Sequence, residues 1–313
     1  MDKSEVLVIG PYPRWDMEAL EANFTIHKLW EAADKHTFTA AYANRIRAIA
    51  TRGELGANAE LIGALPNLEI ISCYGVGTDA IDLKAARARG IKVTNTPDVL
   101  TEDVADIAIG LMLCVARQMP KADSYVRSGS WRKANMPLVT RVCGKRLGIV
   151  GMGRIGAAVA KRAAGFDMEI SYFNRHQRSD VSYTYVNSMV ALAKNSDFLI
   201  ATVAGGAGTA KLIGAEVFEA LGPRGFFINV ARGTVVDEPT LIDALTQNKI
   251  AGAGLDVFVN EPNIDERFFA MDNVVLQPHH GSGTIETRKA MGKLVRDNLS
   301  AHFAGQALLT EVN

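Results

Sequence analysis

The chain has little cysteine, no net charge and no long apolar run, and each lack excludes a class of protein. Its 313 residues hold three cysteines, Cys73, Cys114 and Cys143. They are odd in number, far apart and free of Cys-x-x-Cys spacing, so neither a disulfide framework nor a zinc site is expected. All three read as reduced residues in or near a core. Lys plus Arg and Asp plus Glu number 34 each, which gives no reason to expect nucleic acid or an anionic membrane as a partner. No apolar stretch reaches the length of a membrane span, and Met1-Asp-Lys-Ser-Glu5 lacks the apolar core of a signal peptide. The expectation is a cytoplasmic protein without a metal site. At this length, with 48% hydrophobic and 22% charged residues, the chain suits two domains better than one core.

What the chain does have is glycine in an informative place. Gly144-Lys-Arg-Leu-Gly-Ile-Val-Gly-Met-Gly-Arg-Ile-Gly156 runs from a short apolar strand into Gly151, Gly153 and Gly156, then into the helical Ala157–Ala164. Gly-x-Gly-x-x-Gly between a strand and a helix is the context that a dinucleotide fingerprint requires; alone it would be a weak signal. The first glycine permits the turn, the second lets a diphosphate approach the backbone, and the third lets helix and strand pack. The alternative is a purely structural glycine turn. About 140 residues precede this turn and need a role of their own.

Those residues alternate strand and helix. Apolar runs at 6–9, 46–50, 68–72 and 91–94 end in Gly- or Pro-bearing turns, and helical patterns at 58–65 and 82–89 lie between them. This predicts a small parallel α/β unit. Residues 104–117 then form a helix apolar on nearly all sides, expected to be buried between domains or subunits. A second α/β unit follows, with strands expected at 147–150, 169–173, 198–202, 226–230, 254–257 and 274–276. The helical tail, 284–304, is too short to stand alone and packs most simply on the first unit, which becomes discontinuous.

The second strand after the glycines ends at Asn174-Arg-His-Gln-Arg178, where an NAD site usually carries Asp or Glu. A carboxylate there would repel a 2′-phosphate, whereas Arg175 and Arg178 would pair with it. NADP(H) is the expected cofactor, with a solvated basic turn as the alternative. Three later strand ends carry Arg232, then Asp256 and Glu261, then His279. An Arg, a Glu and a His at one sheet edge suit hydride transfer to a 2-keto acid: the His protonates the carbonyl oxygen, the Glu holds the imidazole, and the Arg orients substrate. Loop Arg and Glu residues are common, so spacing alone leaves this open.

Over its whole length the chain resembles the D-isomer-specific 2-hydroxyacid dehydrogenases. The resemblance rests on Val-Gly-x-Asp-x-Ile-Asp at 76–82, Thr-Asn-Thr-Pro-Asp at 94–98, Val-Ala-Asp at 104–106, the glycine turn, Asn-Val-Ala-Arg-Gly, Gly-Leu-Asp-Val-Phe, Glu-Pro and Pro-His-x-Gly-Ser. Within the family it is most similar to NADPH-preferring glyoxylate/hydroxypyruvate reductases and plant hydroxyphenylpyruvate reductases. The resemblance implies a flavodoxin-like and a dinucleotide-binding Rossmann domain with an active-site cleft between them. Residues 1–98 with 285–313 would bind substrate, and 99–284 would bind NADP. His279 becomes the general acid/base, Glu261 its partner and Arg232 the substrate-orienting group. Val76 and Gly77 N–H groups would take the substrate carboxylate, with Arg52 beside them.

The cofactor contacts implied are Gly151, Gly153, Arg154, Ile155, Gly156, Asn174, Arg175, Arg178, Val230, Asp256 and Gly281, with Asp256 on the nicotinamide carboxamide. His280 reads as support for its neighbour, and the rival assignment makes it the catalytic His. Segment 125–137, with Trp131, is used by relatives for dimer contact, so a homodimer is expected. The glycine-rich 203–209 departs from the family's usual Pro-Leu-Thr type of loop, so contacts mapped from it are unsafe. The implied activity is NADPH-dependent reduction of a glyoxylate- or hydroxypyruvate-type acid to the D-2-hydroxy acid. The alternatives are a bulkier acid such as hydroxyphenylpyruvate or, since some relatives are corepressors, a non-catalytic NADP(H)-sensing interaction protein.

Overall fold

A computed structural model of the chain describes residues 3–313. Met1 and Asp2, where the expected absence of a signal core begins, lie outside them. The chain forms two compact units, one of residues up to Leu100 with Ser282–Asn313, the other Thr101–Gly281. The sequence reading sets these divisions at 98 and 284.

The first unit begins β1 (Glu5–Val8), α1 (Arg14–Asn23), β2 (Thr25–Lys28), α2 (Lys35–Tyr42), β3 (Ala48–Arg52), α3 (Ala59–Ala64), β4 (Ile70–Tyr74), α4 (Leu83–Ala88) and β5 (Lys92–Thr94). Its five strands are parallel in the order β2-β1-β3-β4-β5, the flavodoxin-like order. Helices cover both faces of such a sheet, so its central strands read as unbroken apolar runs; Val6 to Val8 and Ala48 to Ala50 are fully buried. The side chains of Asn58 and Asp82 cap α3 and α4 by accepting first-turn N–H groups. Strand β2 escapes sequence reading because Thr-Ile-His-Lys carries one aliphatic residue, and its pairing with β1 alone makes it a strand.

The second unit starts with α5 (Thr101–Arg117) and α6 (Met119–Arg127). It continues with β6 (Arg146–Val150), α7 (Arg154–Ala164), β7 (Glu169–Phe173), β8 (Thr184–Tyr185), α8 (Met189–Lys194), β9 (Phe198–Ala201), α9 (Ala215–Leu221), β10 (Phe226–Asn229), α10 (Glu238–Thr246), β11 (Gly252–Leu255) and β12 (Val274–Leu276). The seven strands lie parallel in the order β12-β11-β10-β9-β6-β7-β8. Strand order reverses between β6 and β9, and ligands collect beyond the carboxyl ends of strands at such a switch point. Helix α5 buries one stripe, including Val104, Ala108, Leu111 and Val115, against α7, β10 and β11 of its own unit. Its main partner is thus nearer than the domain or subunit boundary expected.

The chain then returns to the first unit as α11 (Ile285–Phe303), which packs on β4 and α1. Gly292 admits the buried Asp16 carboxylate, since a Cβ there would run into it, and Arg296 Nη1 pairs with Asp16 at 2.8 Å. The Tyr74 hydroxyl donates to the Arg288 carbonyl at 2.7 Å. Val295 and Leu299 are fully buried, each worth about 1.5–3 kcal/mol of transfer free energy. Cys73 is buried, Cys114 and Cys143 are half-buried, and none of the three is in a disulfide. Among the described residues no helix is long and apolar enough to cross a membrane, and no group of three or more His, Cys, Asp or Glu is placed to hold a metal.

Candidate active site

The glycine turn joins β6 to α7, and each glycine has its own steric reason. Gly151 has φ +104°, and a Cβ on it would lie 2.6 Å from the Val203 backbone nitrogen. Gly156, in the first turn of α7, has no room for a side chain because the Gly151 carbonyl lies there. Gly153 differs: it is the N-cap of α7, its Cβ position meets nothing within 4 Å, and no side chain caps the helix. A helix N-terminus with no side-chain cap, beside open space, forms an anion site by charge and geometry. The residues present therefore fit a dinucleotide diphosphate. Arg154 and Ile155 open α7 at the same place, Arg154 exposed and Ile155 half-buried.

The turn after β7 carries the three residues expected near the adenosine ribose. Asn174 Oδ1 accepts the Met152 N–H at 2.6 Å, inside the glycine turn. Arg175 is exposed, lies against Gly208 of the glycine-rich loop, and has no hydrogen bond or ion pair among the described residues. Arg178, expected on the phosphate, is already engaged. Its Nε meets Asp180 Oδ1 at 2.8 Å, its Nη2 meets the other Asp180 oxygen, and Nη1 donates to the Met152 carbonyl at 2.8 Å. The hydrogen bonds from Arg178 hold the exposed Asp180 carboxyl below its ordinary value.

The Arg, Glu and His lie within the second unit on loops that follow β10, β11 and β12. His279 Nδ1 lies 2.6 Å from Glu261 Oε2, and Glu261 Oε1 accepts the Phe258 N–H at 2.8 Å. Burial pushes Glu261 up, but the His279 hydrogen bond and charge, the Phe258 N–H and the Arg232 charge outweigh it, leaving the carboxyl below its ordinary value. Arg232 is half-buried and donates from Nη1 to the Ala231 carbonyl at 2.8 Å. Asn229 braces its turn, accepting the Ala231 N–H at 3.0 Å and donating to the Arg232 carbonyl at 3.1 Å. Val230, between them, is buried and donates its N–H to the Ala201 carbonyl at 3.3 Å.

Asp256 shapes the His turn. It is 2% exposed, and its two oxygens accept the His280 N–H at 2.7 Å and the Gly281 N–H at 2.9 Å. Burial raises its carboxyl above the ordinary value against these two bonds and the His279 charge. His279 donates its own N–H to the Asp256 carbonyl at 2.8 Å and takes the left-handed φ of +52°. His280 thus meets Asp256 through its backbone.

Two contributors escape sequence reading. Glu238 Oε2 accepts the Val259 N–H at 3.0 Å, and its carboxyl is raised by burial and by the neighbouring Asp265 and Glu261 charges. At the first position of α10 it reads only as a helix-start acid. A Cβ on Gly233 would overlap the Phe258 backbone, so the Arg232 turn and the Glu261 loop meet main chain to main chain. The Arg-Gly pair was its only local signal.

In the first unit, Arg52 ends β3 and pairs through Nε with Glu54 at 2.6 Å. The loop after β4 is braced by Gly75 N–H to Thr96 Oγ1 at 3.0 Å and by Asn95 Nδ2 to the Val76 carbonyl at 2.8 Å. Among the described residues neither Val76 N–H nor Gly77 N–H has an acceptor.

A parallel Rossmann-type sheet with a bare glycine turn, and an Arg, Glu and His at its carboxyl edge, defines a nicotinamide-dinucleotide-dependent dehydrogenase. The family model for the D-isomer specific 2-hydroxyacid dehydrogenase NAD binding domain matches residues 109–281. Hydroxyphenylpyruvate reductase of Plectranthus scutellarioides is 48% identical over 312 residues, covering 100% of each chain. A 2-hydroxyacid dehydrogenase structure from Ketogulonicigenium vulgare Y25 superposes with TM-score 0.93 at 55% identity, covering 100% of this chain and 99% of that one. An NADPH-dependent glyoxylate/hydroxypyruvate reductase of Sinorhizobium meliloti, solved with NADP and malonate, superposes with TM-score 0.94 at 43% identity, covering 99% and 97%. The chain belongs to the D-isomer-specific 2-hydroxyacid dehydrogenase family and is an oxidoreductase.

Proposed function

We propose that the chain reduces a small 2-keto acid of the glyoxylate or hydroxypyruvate type to its D-2-hydroxy acid with NADPH. The observation that carries this reading is the 2.6 Å pair of His279 Nδ1 and Glu261 Oε2. A carboxylate at that distance accepts a hydrogen bond from Nδ1 and fixes the ring, so Nε2 is the atom that delivers a proton to the substrate carbonyl oxygen. Bound NADPH supplies the hydride that reaches the keto carbon. Arg232 orients the substrate and offsets charge on its oxygens. Val76 and Gly77 N–H groups hold the substrate carboxylate, and Arg52 adds a positive charge. Asp256, with the Val230 backbone and Gly281, positions the nicotinamide carboxamide.

In this reading residues 1–98 with 285–313 bind substrate and 99–284 bind the cofactor. The diphosphate rests on Gly151, Gly153, Arg154, Ile155 and Gly156, and Asn174 and Arg175 lie on the ribose side. The active form is a cytoplasmic homodimer. Met119, Val126, Trp131 and Leu138, all more than half exposed, supply the apolar surface of its contact.

The test mixes purified protein, NADPH and a panel of keto acids and follows the reduced-nicotinamide absorbance. Rapid loss with glyoxylate or hydroxypyruvate is expected. A preference for hydroxyphenylpyruvate, favoured by the 48% identity to the Plectranthus enzyme, would move the reading to a bulkier substrate. Tight NADPH binding without turnover of any acid would replace it with a cofactor sensor.

A further inference from the structure

We propose that Arg178, together with Asn174, is a positioning residue that clamps the glycine turn at Met152, and that Arg175 alone reads the 2′-phosphate. The inference rests on the reading that a nicotinamide dinucleotide binds at Gly151–Gly156.

Met152 stands between two glycines, so its own neighbours do little to fix the peptide planes on either side. Bonds from elsewhere fix them instead. The plane before Met152 is held by its N–H on Asn174 Oδ1 at 2.6 Å, and the plane after it by its carbonyl on Arg178 Nη1 at 2.8 Å. These planes lead directly into Gly153, the N-cap of α7. They set the direction of the N–H groups offered to the diphosphate.

Arg178 is itself held at both ends. The hydroxyl of Tyr172, fully buried in β7, accepts the Arg178 N–H at 2.9 Å and donates to the Arg178 carbonyl at 3.3 Å. Asp180 takes Nε and Nη2 together, fork to fork, which turns Nη1 toward Met152. A guanidinium whose charge already faces a carboxylate gains little from a phosphate. Arg175 has no such partner among the described residues, and its Nη2 lies 3.6 Å from where a Cβ on Gly208 would stand, an ordinary contact distance. Phosphate selectivity therefore falls to Arg175. The clamp serves the diphosphate, which NADH and NADPH share.

The test is equilibrium binding of NADPH and NADH to the whole protein by titration calorimetry, with circular dichroism to check folding. Arg178→Ala is expected to weaken both dinucleotides by the same factor, roughly tenfold, for the loss of one charge-assisted hydrogen bond. Arg178→Lys, which can still reach the Met152 carbonyl, should recover part of that loss. Arg175→Ala should weaken NADPH and leave NADH unchanged. The inference is overturned if Arg178→Ala weakens NADPH well beyond NADH, if it leaves both unchanged, or if Arg175→Ala affects both equally. Should Arg178→Ala fail to fold, Asn174→Ala carries the same comparison: an equal loss supports the clamp and a selective loss overturns it. If the unaltered protein binds neither dinucleotide, the reading of the whole site fails and the clamp with it; if it binds NADPH and only the comparison fails, the clamp alone is lost.

Discussion

Glu261 Oε2 stands 2.6 Å from His279 Nδ1, eighteen positions along the chain, and Glu261 is itself fixed by the Phe258 N–H at 2.8 Å. The imidazole therefore has one ring nitrogen committed and one left for chemistry. His279→Ala should lower kcat by about 10²–10⁴-fold, the range set by general acid–base catalysis. Glu261→Gln should give a smaller loss, since the ring loses the carboxylate that fixes Nδ1 and leaves Nε2 for chemistry. Normal turnover by purified His279→Ala would remove the residue from the mechanism.

Arg232 has a different signature. Its guanidinium lies near enough to Glu261 to help lower that carboxyl, and Gly233 locks its turn against Phe258. Arg232→Ala should raise KM and lower kcat together, because orientation and charge offset are both lost. Arg232→Lys should restore only part of either, since an ammonium cannot reproduce a planar fork. An unchanged KM in steady-state kinetics of the alanine variant would count against substrate orientation.

Gly151 and Gly153 should differ in stability, though not in dinucleotide binding, on the same substitution. Gly151→Ala meets both a φ of +104° and the Val203 backbone, so it should lose about 1–3 kcal/mol of stability as well as dinucleotide binding. Gly153→Ala meets open space. It should leave the melting temperature nearly unchanged while weakening NADPH, because the new methyl occupies the approach of the diphosphate. Equal melting temperatures for the two variants would contradict this steric account.

Glu261 and Glu238, both tied to the Phe258–Val259 backbone, should give stability opposite pH dependences. Glu261 is held below the ordinary 4.5. Its stabilising contribution is full above that value and fades as pH falls through the lower native one. Glu238 is raised above 4.5. Its contribution is full below 4.5 and is lost as pH rises through the raised native value. Urea unfolding of Glu261→Gln and Glu238→Gln between pH 3 and 7 checks this. The deficit of the first should shrink toward pH 3, and that of the second toward pH 7; parallel curves would refute the assignment.

Legibility in the sequence followed the range of the interactions. The strands 169–173 and 274–276 coincide with β7 and β12, because β-branched and aromatic runs bounded by turns are local signals. Strands β2 and β8 were not legible: Thr-Ile-His-Lys and the two-residue Thr184–Tyr185 carry too little pattern, and pairing alone defines them. The buried His27 of β2 is bound to Glu5 at 2.7 Å, a contact between neighbouring strands that no local pattern announces. Glu238 was invisible as a contributor because its partner Val259 lies 21 residues away.

By itself the sequence determined the two parallel α/β units, the glycine turn and the candidate set Arg232, Glu261 and His279. Each depends on short-range pattern: strand–turn–helix periodicity, and residue types placed at strand ends. Only the tertiary structure decided what each charged group is already bound to. Arg175 and Arg178 look equivalent in Asn-Arg-His-Gln-Arg, yet Asp180, Tyr172 and Met152 engage one of them and leave the other exposed. The return of α11 to the first unit was expected from the sequence, but the contacts that hold it, Asp16 with Gly292 and Arg296, came only from packing. A charge can be counted from sequence, but its partner is chosen by geometry, since pairing energy falls off within a few ångströms.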